Sequence, residues 1–182
     1  MKKEQYGMLK SQDCIILLKH LAHPGQPMPQ RQLAMELKIS LSEVNAGIKR
    51  LLVSGLMMQT SGHKVVANTT ASKDFLIYGL KYVFAGKLGE YTVGMPTAVA
   101  APIFADKIAL GSDPLPVWPD AFGDMRGVAL EPLYPSIPKA LREYPDQNLY
   151  DLLVLVDAIR IGRARERNLA IHMLQEILDN EK

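Results

Sequence analysis

An α+β fold, mostly helical and built in two unequal parts, is what the sequence predicts. Three observations carry that expectation. Apolar residues recur at helical spacing through most of the chain, one short run around Val65-Val66 has strand propensity, and proline is concentrated in a single stretch. Residues 1–70 are expected to form an N-terminal unit of three helices and a hairpin. Residues 71–182 are expected to form a proline-rich, largely helical C-terminal domain.

The tail Met1 to Lys10 is polar, with Tyr6, Met8 and Leu9 able to pack. Ser11 is a good N-cap for a helix over roughly Gln12 to His23, where Ile15, Leu18 and Leu21 follow helical spacing and Ile16 and Leu17 widen the stripe. Pro24, Gly25 and Pro27 cannot continue it. Pro29 takes the favoured first-turn position of a second helix, which runs to about Lys38 with Leu33, Ala34 and Leu37 inward. Ile39 plugs the turn into a third helix, Leu41 to Val53. On a wheel of about 100° per residue, Leu41, Val44, Ile48, Leu51 and Leu52 share one side of it. Ser40 and Glu43 make an S-x-x-E capping box at its start, and Gly55 sits where a left-handed cap is wanted. "LMMQT", "SG" and "HKVVAN" then read as strand, turn and strand.

Beyond Ala71 the character changes. Asp74 to Phe84 is a short apolar, helical segment. Nine of the twelve prolines fall between Met95 and Pro145, beside Trp118, Phe122 and Tyr134. Disordered proline-rich linkers lack such large apolar residues, so this stretch reads as ordered but irregular: a packed layer, or the lining of a ligand pocket. Two helices close the sequence, Asn148–Ile161 and Arg163–Asp179, with Gly162 between them. The first is apolar nearly all round and needs cover on both sides, either from the proline-rich layer and the last helix or from a second subunit.

Composition narrows the function classes. With 48% apolar residues in 182, a sizeable core is expected and disorder is not. No apolar run approaches a bilayer span and no leader pattern opens the sequence. Cys14 lies alone in an apolar run, as a buried thiol of a reducing cytoplasm would. The net charge of +2 conceals an asymmetry: residues 1–70 carry nine Lys/Arg against four Asp/Glu, and residues 71–182 carry twelve against fifteen. A basic front suits an anionic partner.

The outer face of the third helix is small and polar at its start, then basic. Ser40, Ser42, Asn45 and Ala46 permit close approach to base edges, Lys49 and Arg50 can neutralise phosphates, and His63 and Lys64 at the hairpin tip can reach the flanking backbone or minor groove. A solvated helix face would look similar. The stretch "RQLAMELKISLSEVNAGIKRLLVSGLM" resembles the core of a bacterial winged helix-turn-helix domain of the MarR-like kind, over residues 11 to 68. The resemblance implies a recognition helix at 41–54 and a wing at 56–68. Two departures stand out: Lys38 occupies a turn position where glycine is frequent, and Glu43 on the recognition face would repel phosphate unless the capping box holds it.

The function these features imply is a cytoplasmic, homodimeric, sequence-specific regulator of transcription, a repressor that binds double-stranded DNA. The alternative is an antitoxin-like regulator that binds a partner protein through its C-terminal domain. In "RIGRARERN", if the helix continued through Gly162, Arg160, Arg163 and Arg167 would share a face and could hold a phosphate, a nucleotide or other small-molecule effector, or an acidic partner surface. Intramolecular pairing with Asp157, Glu166 and the acids of residues 113–151 is the competing account. No enzyme is expected: "GKLGE" is not a phosphate loop, His20 and His23 have no third metal ligand, and no catalytic triad or carboxylate pair stands out. No cofactor or metal is called for.

Overall fold

The structure is a computed structural model that describes residues 7–109 and 111–180. Its architecture is α+β. The N-terminal half begins with α1 (Ser11–Ala22), α2 (Gln30–Leu37) and α3 (Leu41–Val53), followed by an antiparallel hairpin of β1 (Met57–Gln59) and β2 (Val65–Ala67). A helix then runs through α4 (Thr69–Asp74), a wider π turn (Phe75–Gly79) and α5 (Leu80–Val83).

Next come three strands, β3 (Leu88–Pro96), β4 (Pro116–Pro119) and β5 (Met125–Leu130), with two short 3-10 turns between β3 and β4. β3 runs antiparallel to both partners, which are parallel to each other, so the three close into a ring. α6 (Ile137–Glu143), α7 (Gln147–Ile161) and α8 (Ala164–Asn180) complete the described residues. The closed ring of strands and α6 are corrections to a C-terminal part expected to be helical and irregular. No helix among the described residues is long and apolar enough to cross a membrane.

Two helices without a polar side hold the molecule together. α1 buries every residue from Gln12 to Lys19 together with Leu21 and Ala22, and α7 buries Leu149 and the whole run Leu152 to Ile159. They pack on each other. α1 also lies against α3, and α7 lies against α8, α5 and the first 3-10 turn. The cover that α7 requires is therefore supplied within one chain, so its composition no longer argues for a second subunit. One apolar core runs through both halves, from Ile15 and Leu18 through Leu51 and Leu76 to Leu155 and Leu174. Cys14 sits inside it at 1% exposure, where burial pushes its thiol pKa up.

Local chemistry explains the turns. Ser40 caps α3 by accepting from the Glu43 N–H at 3.2 Å, but the other half of the capping box is not made. The Glu43 carboxylate instead accepts from Gln12 Nε2 at 3.2 Å and from Tyr134 Oη at 3.4 Å. Lys38 adopts φ of 55°, the left-handed conformation that glycine would take more easily, and its ammonium pairs with Glu143 and lies 4.9 Å from the Tyr144 ring. Gly55 has φ of 75°, as the cap of α3 requires. At the hairpin tip, His63 takes φ of 57° and donates its N–H to Thr60 O, closing a turn around Ser61 and Gly62.

Candidate nucleic-acid interface

The outward stripe of α3 comprises Ser42, Asn45 and Lys49, all exposed, and none of the described residues covers it. Ser40 is exposed at its head, with its Oγ 3.1 Å from that of Ser42. Ala46 is half-buried at the edge. Asn45 donates from Nδ2 to Gln30 Oε1 at 3.2 Å, which ties the stripe to the first turn of α2. His63 and Lys64 are exposed at the hairpin tip. The structure thus places Ser40, Ser42, Asn45 and Lys49 on one exposed stripe, with Ala46 at its margin. His63 and Lys64 stand on the hairpin that follows α3. Leu41, assigned inward from the wheel, is instead 43% exposed at the start of the helix.

Arg50 does not belong with them. Its Nε donates to Asp13 Oδ2 and its Nη2 to Asp13 Oδ1, each at 2.7 Å, and the Asp13 side chain is fully buried. A bidentate guanidinium committed to a buried carboxylate is not available for phosphate, so Arg50 leaves the set of candidate contacts. The pairing is also why α1 tolerates an acid in the middle of its apolar surface.

The arginines of the C-terminal part are also engaged internally. Arg160 is buried, donating to Asp157 Oδ1 at 2.6 Å and to the carbonyls of Phe84 (2.8 Å), Ala85 and Glu131 (3.4 Å each). Arg167 donates to Gly162 O at 2.8 Å and Ile159 O at 3.3 Å, satisfying carbonyls at the end of α7. Arg163 alone faces solvent, in an exposed pair with Asp113 at 2.6 Å. The three do not form a common face: two are structural clasps and one is a surface charge.

Two recesses were not legible in the sequence. The larger, about 610 Å³, opens where α1 and α2 meet the start of α7. Lys19 Nζ there bridges Glu36 (2.7 Å) and Asp146 (2.6 Å), and His23 Nε2 lies 2.7 Å from the same Asp146 oxygen. Asp146 also caps α7 by accepting from the Leu149 N–H at 3.0 Å. Burial pushes the Asp146 carboxyl up, but the donors from Lys19, His23 and Leu149 bring it net below its ordinary value. Lys19, His23, Glu36 and Asp146 thus satisfy one another along this recess.

The smaller recess, about 290 Å³, lies between the chain leading into α2, the inner side of α3 and strand β2. His20 is on its lining. The ring is pushed by burial from 6.5 down to about 4, and its buried Nε2 has no hydrogen-bond partner among the described residues. Between about pH 6.5 and 4 the unfolded chain therefore binds a proton that the folded chain refuses. The contribution of His20 to stability should fall as pH drops through that window, by up to about 3 kcal/mol, with nothing further from this group below it. Urea titrations at several pH values check this, and His20→Phe should flatten the slope. A His20→Phe curve parallel to that of the parent chain would place the acid sensitivity elsewhere.

Compared with protein-family models, with curated proteins and with solved structures, the chain shows no match.

Proposed function

We propose that this protein is a double-stranded DNA-binding transcriptional regulator, a repressor, that presents α3 to the major groove and the hairpin tip to the flanking backbone. The observation that carries the reading is the exposed stripe of α3, small and polar and then basic, beside the basic tip of the hairpin. Lys19, Lys38 and Arg50 each have a carboxylate partner, whereas Lys49 and Lys64 are exposed and have none among the described residues. The residues before Lys49 on its stripe, Ser42 and Asn45, are small or amide-bearing groups suited to base edges and phosphates. Glu43, the one acid on α3, turns toward Gln12 and Tyr134 and away from the stripe. A homodimer would set two α3 helices one helical turn apart on a two-fold site.

The test is a gel shift with the DNA upstream of the coding sequence and with random duplex, at several salt concentrations. Lys49→Ala is expected to weaken binding to both duplexes alike and to reduce the salt slope by about one unit. An unchanged slope would remove Lys49 from phosphate contact, and no salt-dependent binding by the parent chain would end the proposal.

A second reading, an antitoxin-like regulator with a protein partner, is favoured by a different observation. Tyr78, Tyr82 and Val83 at the end of the π-turn helix, and Leu88 and Tyr91 at the start of β3, are all more than half exposed. Exposed apolar and aromatic side chains of this kind are common at contact surfaces. That surface, and not the internally bonded Arg160 and Arg167, is where a partner or second copy would sit.

A further inference from the structure

We infer that Asn45 reads an adenine in the major groove and that Gln30 holds it in position to do so, an inference that rests on the DNA-binding reading. Asn45 stands in the middle of the exposed stripe of α3, with Ser42 one turn before it and Lys49 one turn after. Its Nδ2 donates to Gln30 Oε1 at 3.2 Å. Gln30 is the first residue of α2 and is half-buried, so the bond ties an exposed amide to a second helix. A free asparagine at the surface samples several rotamers, and freezing one of them on binding costs affinity. The bond to Gln30 lowers that cost before any duplex arrives.

The amide is not used up by this contact. Asparagine carries two N–H donors and a carbonyl with two acceptor sites, and one N–H is spent on Gln30. One N–H and the carbonyl remain. Turning both amides over makes Gln30 the donor and still leaves Asn45 with a donor and an acceptor. On the major-groove edge only adenine offers an acceptor and a donor side by side, N7 and N6. Guanine offers two acceptors, cytosine a donor, and thymine an acceptor beside a methyl group. A donor-acceptor couple held in one place therefore prefers adenine. The other obvious base readers on α3 are engaged elsewhere: Arg50, suited to guanine, is bound to Asp13, and Glu43, suited to cytosine, is turned to Gln12 and Tyr134. Lys49, farther from the start of the helix, is left to the phosphates.

Binding sites are selected with the full chain from a randomised duplex pool. Each adenine of the selected site is then replaced by 7-deazaadenine, which pairs normally but lacks the N7 acceptor. In the parent chain one replacement should weaken binding about fivefold, the worth of one net hydrogen bond. In Asn45→Ala the same replacement should cost nothing, and in Gln30→Ala its effect should shrink to about twofold. Each ratio is taken within one chain, so differences in folded fraction or in phosphate contacts cancel. No sensitive adenine in the parent chain, or an equal effect in Asn45→Ala, would overturn the readout. An undiminished effect in Gln30→Ala would overturn its positioning role. Salt-dependent binding of all duplexes alike keeps the DNA reading and removes this one, whereas no duplex binding at any salt concentration removes both.

Discussion

Arg50→Ala is expected to cost about 3–5 kcal/mol of folding stability while leaving the salt dependence of duplex binding as it was. The loss follows from what the arginine leaves behind. Asp13 is fully buried and accepts three hydrogen bonds: two from Arg50 and one, at 2.8 Å, from the Lys10 N–H. Without the guanidinium, a carboxylate sits at the α1–α3 contact with only the Lys10 amide and no countercharge. Water cannot readily replace the lost donors. A Cβ at Gly47 would lie 2.7 Å from Asp13 Oδ1 and 2.8 Å from Ile16 Cδ1, so the two helices meet with no side chain between them. Arg50→Lys returns the charge without the fork and should recover part of the loss.

The measurement is urea denaturation, read as a lower midpoint at an unchanged slope. Lys49→Ala, one residue away and exposed, should move stability by less than about 0.5 kcal/mol. The two variants thus separate folding from binding on adjacent positions. A loss under 1 kcal/mol in Arg50→Ala would mean that water reaches Asp13 once the guanidinium is gone. A reduced salt slope in that variant would return Arg50 to the phosphate contacts.

Helices were legible where periodicity and punctuation agreed. α1, α2, α3, α7 and α8 each begin or end within a residue or two of the expected positions, because capping residues, prolines and glycines mark the limits of a 3.6-residue repeat. The hairpin was legible from Ser61-Gly62 and the β-branched pair that follows. The ring of β3, β4 and β5 was not. Pro96, Pro116 and Pro119 sit at strand ends and read as loop residues, and β3 runs from exposed to half-buried with no clean alternation to mark a face. Its pairings join residues far apart in sequence, which local patterns do not record.

Side-chain commitments were harder to see than elements. A wheel gives the angle at which a residue leaves the helix, not the direction in which a long side chain then bends, so Arg50 looked outward. The available signal was Asp13: an acid within an apolar run requires a buried partner. Asp157 and Arg160, three apart on a helix with no polar side, carried the same message. His20 gave no such signal, because an imidazole on a helix flank is ordinary and its missing partner is a fact of tertiary structure.

Asp157→Asn should lower stability by about 3–5 kcal/mol, as much as any single polar change in the C-terminal half. Asp157 is 1% exposed on α7 and takes three donors from three directions: Thr97 Oγ1 at 2.8 Å, Trp118 Nε1 at 2.6 Å and Arg160 Nη1 at 2.6 Å. Burial pushes its carboxyl up, and the Arg160 charge and the three donors pull it only part of the way back, so it stays above its ordinary value. The network fastens the first 3-10 turn, β4 and the Phe84–Ala85 carbonyls to one helix, so it joins the strand ring to the core. Asparagine keeps the volume but turns an N–H₂ toward at least one of these donors, and leaves the Arg160 charge buried without a counterion. Trp118 is the single tryptophan and touches the altered atom directly, so its fluorescence reports both the local change and the unfolding midpoint. A shifted emission with an unmoved midpoint would show that the strand ring is held by apolar packing alone. Coincident changes in both would identify Asp157 as the group that binds the ring to α7.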